Sequence, residues 1–175
     1  MPIHIDEVLD PAFVEGLDEL SLDEVRQRRS KSQQVEVGLS YLRRMTQGRL
    51  DILVADIRRR AEGADSDLIH LLDHLTPILA EGIRGKDRGA IPTHMTPDFS
   101  EDLTAELDEI LPDTTIANLP NLTNAEVLHI GEELRDLEKA VSIRRHDVHQ
   151  CLDKLTAELV RRYKDDPAEV EALLQ

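Results

Sequence analysis

Apolar positions in this chain recur at helical rather than strand spacing. Val35, Leu39, Leu42, Leu50, Leu53 and Ile57 form one stripe, and Leu134, Leu137, Val141, Val148, Leu152, Leu155 and Leu159 form a second. At about 100° per residue each set falls on one face of an α-helix. S-L-D-E at Ser21 is a capping box: Ser21 caps the backbone, Glu24 reaches back, and a helix starts there. It meets no breaker before Gly63, because Gly38 and Gly48 each cost up to about 1 kcal/mol against Ala without forcing a stop. A helix from Leu22 to Glu62 would be about 60 Å long at ~1.5 Å per residue. T-N-A-E at Thr123 is a second capping box, with Glu126, and opens a last long helix from Asn124 to Asp165 that Pro167 interrupts.

Shorter elements fill the rest. Residues 1–20, with Pro2, Pro11 and Gly16, predict an extended or short-helical leader suited to docking. Gly63 to Ser66 end the first long helix and cap LIHLLDHLTPILAEG, which Pro77 kinks or breaks. A loop with Gly82, Gly85, Gly89, Pro92 and Pro97 follows, then an acidic helix from Asp98 to Leu111 closed by Pro112. TTIANLPNL reads as irregular, and EVEALL as a short amphipathic tail. The chain thus divides into a leader, 1–20, and one helical domain, 21–175. That domain comprises long helix 21–63, short elements 64–122, long helix 123–165 and tail 166–175. Two long helices with one apolar seam each are best satisfied as an antiparallel pair, so the expected fold is all-α: an antiparallel coiled-coil hairpin with short helices in the connection.

Beside each seam runs a polar ladder. Glu36, Ser40, Arg43, Gln47 and Asp51 follow E-x3-S-x2-R-x3-Q-x3-D, and Glu138, Ser142, Arg145, His149 and Asp153 repeat that spacing 102 residues later. Steps of four, three, four and four put the five side chains within about 80° of one helix face, some 90° from the seam. Of 25 aligned positions starting at Glu36 and Glu138, nine are identical, among them Arg59/Arg161 and Arg60/Arg162. This is an internal repeat, and an antiparallel pairing would give it a pseudo-two-fold axis with both ladders across one groove.

Composition supports helices over a thick core. The chain has 175 residues, no Trp, two Phe, two Tyr and 33% charged residues. A net charge of −15, with no Lys/Arg run that offers a groove to track a nucleic-acid backbone, argues against direct DNA or RNA binding, and a basic protein surface is the better match. No basic leader with a long apolar segment and no run of about 18 apolar residues points to a membrane, and a single Cys151 fits a reduced, cytoplasmic setting.

For one ladder, the ordinary reading is a solvated coiled-coil flank whose charges pair at three and four residues. Duplication of a Ser and an Arg at the same rungs favours a symmetrical ligand instead. An Arg fork suits guanine O6 and N7 or a phosphate, a carboxylate accepts from guanine N1 and N2, and Ser and Gln add short hydrogen bonds. A ladder about 22 Å tall suits stacked guanines better than one nucleotide. Metal binding has weaker grounds. His70 and His74 stand four apart, but HLLDH lacks the glutamate of H-E-x-x-H, and His146, His149 and Cys151 spread too widely round a helix for one tetrahedral ion. With no Gly-rich phosphate loop and no nucleophile elbow, the chain does not read as an enzyme.

The two ladders, with LSYLRRMTQGRLDIL in the first, resemble the RsiG family, anti-sigma factors of the sporulation sigma factor WhiG in filamentous spore-forming bacteria. The resemblance covers roughly Leu22 to Tyr163. It implies that all ten rungs bind cyclic di-GMP, two molecules as an intercalated dimer, and that the liganded protein holds a WhiG-type sigma factor inactive in a 1:1 complex. His149 departs from the family's Gln. Imidazole can donate, accept or stack there, which makes that rung's strength pH-dependent near neutrality. A ligand-free coiled-coil adaptor is the alternative from a different class.

Overall fold

A computed structural model of the chain describes residues 5–61 and 100–165. The expected helix over LIHLLDHLTPILAEG, the loop after it, the histidines His70 and His74 and the tail after Pro167 lie outside the described residues. Helix α1 (Ile5–Leu9) and two 3-10 turns (Pro11–Val14 and Leu17–Glu19) make the leader. The first long helix, α2, spans Leu22–Ala61, and the acidic helix α3 spans Ser100–Ile110. Helix α4 (Asp113–Asn118) and a 3-10 turn (Leu119–Asn121) lead into the second long helix, α5, Asn124–Asp165. No strand occurs among the described residues, and no helix there is long and apolar enough to cross a membrane.

One expectation needs correcting. TTIANLPNL is helical over most of its length, because Pro112 sits at the N-cap of α4 rather than only closing α3. A proline ahead of the first turn removes no hydrogen bond that a helix needs.

Two compact units partition the chain, one from Met1–Leu39 with Ile143–Gln175, the other from Ser40–Ser142. In the first, Arg26 Nε donates to Tyr163 Oη at 2.9 Å and Arg29 Nε to Thr156 Oγ1 at 3.3 Å, while Ser32 Oγ lies 3.5 Å from Cys151 Sγ. In the second, Arg43 reaches Glu138 and Arg60 reaches Asn124. Numbers rise on α2 as they fall on α5, so the long helices run antiparallel in both units, and the fold is the expected all-α helical hairpin. The seams are the core: every residue of the first stripe is buried, as is every residue of the second except Leu152, which is half-buried. Each fully buried Leu is worth about 1.5–3 kcal/mol against exposure.

The internal repeat is longer in the structure than its sequence identities show. Arg162 donates from Nη1 to Leu20 O (2.7 Å) and from Nη2 to Leu17 O (2.5 Å), and Arg60 donates likewise to Leu122 O (2.7 Å) and Leu119 O (2.6 Å). Each guanidinium thereby supplies a donor to the carbonyl just before a long helix, Leu20 O or Leu122 O, and a second donor to Leu17 O or Leu119 O, which already accepts a backbone N–H within its turn. Behind each stands a carboxylate: Glu158 accepts from Arg161 and Arg162, Asp56 from Arg59 and Arg60. Both capping boxes form with matching geometry, Glu24 Oε2 accepting from Ser21 N and Glu126 Oε2 from Thr123 N, each at 2.7 Å. Every partner in one unit sits 102 residues from its counterpart in the other. Each unit is thus held by the same device.

Candidate functional site

The ladders build one arginine–glutamate cluster in each unit. In the second unit, Arg43 Nε donates to Glu138 Oε1 (3.0 Å) and Ser142 Oγ (3.1 Å), and Ser142 Oγ donates to the same carboxylate oxygen at 3.0 Å. Gln47 Nε2 lies 3.5 Å from that oxygen. In the first unit, Arg145 Nε donates to Glu36 Oε1 at 3.3 Å, with His149 Nε2 3.6 Å from the same oxygen. Each cluster therefore draws its arginine from one copy of the motif and its glutamate from the other. The helical spacing explains why: within a ladder Glu and Arg are seven residues apart, about two turns, whereas an antiparallel neighbour brings the other copy's Glu level with Arg.

Burial sorts the rungs by role. Glu138 is buried, and Glu36, Ser40, Arg43, Gln47, Ser142, Arg145 and His149 are half-buried. A buried carboxylate is stable only when paired and hydrogen-bonded, a condition that Arg43, Ser142 and Gln47 meet for Glu138. Arg43 makes these bonds through Nε, and its two terminal nitrogens meet no acceptor among the described residues. Asp51 and Asp153 are exposed at the ends of their ladders, and no contact joins either to the clusters. The structure brings Arg43, Gln47, Glu138 and Ser142 together in one unit and Glu36, Arg145 and His149 in the other.

The candidate metal set on α5 does not converge. His146 Nε2 faces Gln150 Nε2 at 2.8 Å, and Cys151 is buried against Ser32. Among the described residues no three His, Cys, Asp or Glu side chains could hold an ion.

Three charged residues escaped the sequence reading. Arg49 is buried, donating from Nη1 to Leu107 O (2.8 Å) and Leu111 O (2.7 Å) at the end of α3, with Asp108 as its ion partner. It has no counterpart in the repeat, where Cys151 stands, so periodicity could not reveal it. Arg60 and Arg162 did leave a signal, since both fall among the nine identities.

Fold and site together define an all-α helical hairpin with a duplicated polar ladder. A family model described as RsiG-like matches residues 11–79, the stretch from the leader through the whole first ladder. Over that stretch, less than half of the chain, the protein is similar to the RsiG-like family. No curated protein matches the chain.

Proposed function

We propose that this protein is an anti-sigma factor governed by cyclic di-GMP: two ligand molecules, taken up through the two ladders as an intercalated dimer, let it capture a WhiG-type sporulation sigma factor and keep it inactive. The observation that carries this reading is the pair of cross-copy clusters, Arg43 with Glu138 and Arg145 with Glu36. Coiled-coil flanks also carry interhelical ion pairs, but here the same Arg–Glu pairing recurs with the copies exchanged and one of its carboxylates, Glu138, is buried. Such a pairing holds each guanidinium in a fixed direction, which lowers the ordering cost of a fork onto a guanine edge or phosphate. Exposed Asp51 and Asp153 supply carboxylates for guanine N1 and N2. Ser40, Ser142, Gln47 and His149 add polar contacts at intermediate rungs. The net charge of −15 favours encounter with basic sigma-factor surfaces that otherwise meet DNA.

Calorimetric titration tests the ligand half of this reading. Two cyclic di-GMP molecules per chain are expected; one per chain, or no heat at all, would contradict it.

A further inference from the structure

The outer face of α2 in the second unit carries a second apolar line that the hairpin does not use. Tyr41, Met45, Gly48, Ile52 and Ala55 follow one another at steps of four, three, four and three. These steps keep all five within about 80° of one another and turn them away from the buried seam of Leu42, Leu50, Leu53 and Ile57. Tyr41 and Met45 are half-buried, Gly48 and Ala55 are exposed, and Ile52 is 44% exposed.

Gly48 sits at the middle of this line. Glycine is disfavoured inside a helix, and nothing among the described residues calls for it here, because a Cβ built at Gly48 meets none of their atoms within 4 Å. A helix that accepts this cost at an open site leaves room for something outside to approach its backbone. Charge adds direction. Arg44 and Arg58, beside the line on the ladder side, meet no carboxylate among the described residues, and Arg59 continues the line at its end, paired with Asp56. On a chain of net charge −15 this face is locally basic.

The repeat serves as an internal control. At the equivalent positions the other copy has Ile143, Asp147, Gln150, Lys154 and Ala157, and Arg44 and Arg58 become His146 and Val160. The line is broken there and the glycine is gone. A symmetrical ligand requires the same groups twice, so a feature present in one copy alone serves something that binds once.

We propose that this face docks a single amphipathic helix of the sigma factor, packed closely over Gly48, with its apolar residues on Tyr41, Met45 and Ile52 and carboxylates along its edge facing Arg44 and Arg58. The proposal rests on the anti-sigma reading and names the surface through which it works.

The test compares Gly48→Leu, Ile52→Glu and Arg44→Glu with wild type in three measurements: capture of a purified WhiG-type sigma factor at saturating cyclic di-GMP, cyclic di-GMP titration, and thermal melting with sedimentation of the free protein. All three variants are expected to bind cyclic di-GMP as wild type does and to lose at least tenfold in sigma affinity. Gly48→Leu should melt no lower than wild type, which separates docking from folding. Wild-type sigma affinity in all three variants would overturn the docking face and leave the anti-sigma reading standing. No capture by wild type at any ligand concentration would overturn both, and the wild-type arm tells the two failures apart. A lowered melting temperature of the free variants would assign the face to the chain's own packing, and a wild-type dimer that the variants abolish would assign it to a second copy; either result overturns the proposal.

Discussion

Arg43 Nε lies 3.0 Å from Glu138 Oε1, a guanidinium of the first motif copy held by a buried carboxylate of the second. Arg145 and Glu36 repeat the relationship with the copies exchanged. Neither copy is complete alone. A half-chain carrying one motif would present an arginine without its glutamate.

Replacing Arg43 therefore has two expected consequences. Arg43→Ala should weaken cyclic di-GMP binding by about 1–3 kcal/mol, the usual worth of a bidentate contact to a base. It should also destabilise the fold, since Glu138 loses its ion partner while staying buried. Arg43→Lys keeps the charge but not the fork, so it should restore stability more fully than binding. Titration and urea unfolding of the two variants separate these effects, and normal ligand binding by Arg43→Ala would remove that ladder from the site.

The carbonyl-holding arginines give a stability prediction that involves no ligand. Arg60→Ala and Arg162→Ala each leave one carbonyl, Leu122 O or Leu20 O, without its side-chain donor, remove a second bond from a carbonyl that keeps its backbone donor, and deprive Asp56 or Glu158 of a partner. At about 1–3 kcal/mol for each buried polar group left unsatisfied, either change should lower the urea midpoint clearly. Equal losses in the two variants would match the equivalence of the two units.

Acid should weaken the same device. Hydrogen bonds from Arg161, then Arg162, hold the Glu158 carboxyl down to about 2. At Asp56 burial works against ionisation, yet the hydrogen bonds from Arg59 and Arg60 outweigh it and the carboxyl still lies below its usual range. A group whose folded value is depressed contributes stability that is complete above its unfolded value and is lost as pH falls toward the folded one. Unfolding free energy should hence decline from about pH 5 downward, with the Glu158 contribution lost as pH approaches 2. Glu158→Gln should show a shallower decline over that window, measured by urea unfolding at a series of pH values.

The long helices, their starts and their seams were legible because each rests on local chemistry: capping boxes at Ser21 and Thr123, and apolar residues at helical spacing. The ladders were legible because duplication makes a pattern visible against background. Partnerships across the hairpin were not, since E-x3-S-x2-R spacing does not say that Arg43 takes its carboxylate from the other copy. Arg49 was invisible for a different reason: a charged residue beside Leu50 reads as solvated until α3 is seen to end on it. The short helix α4 is not legible in the sequence because Pro112 signals a stop after Leu111 as strongly as a start before Asp113.

On the proposed function, exposed Asp51 and Asp153 would connect ligand to partner. Asp51→Asn and Asp153→Asn exchange one of the two proposed acceptor oxygens for an N–H donor without disturbing any contact among the described residues, so the melting temperature should not change while cyclic di-GMP affinity falls. By linkage, a ligand that strengthens sigma binding is itself bound more tightly in the presence of sigma, by the same factor. The ratio of cyclic di-GMP dissociation constants without and with sigma should therefore equal the ratio of sigma dissociation constants without and with ligand.

The most direct measurement is capture of a purified WhiG-type sigma factor by the immobilised protein across a cyclic di-GMP titration, with wild type, Asp51→Asn and Asp153→Asn side by side. The account predicts that wild-type capture rises with cyclic di-GMP and that both variants need more ligand for the same capture. Equal capture by all three proteins, with and without cyclic di-GMP, would contradict it.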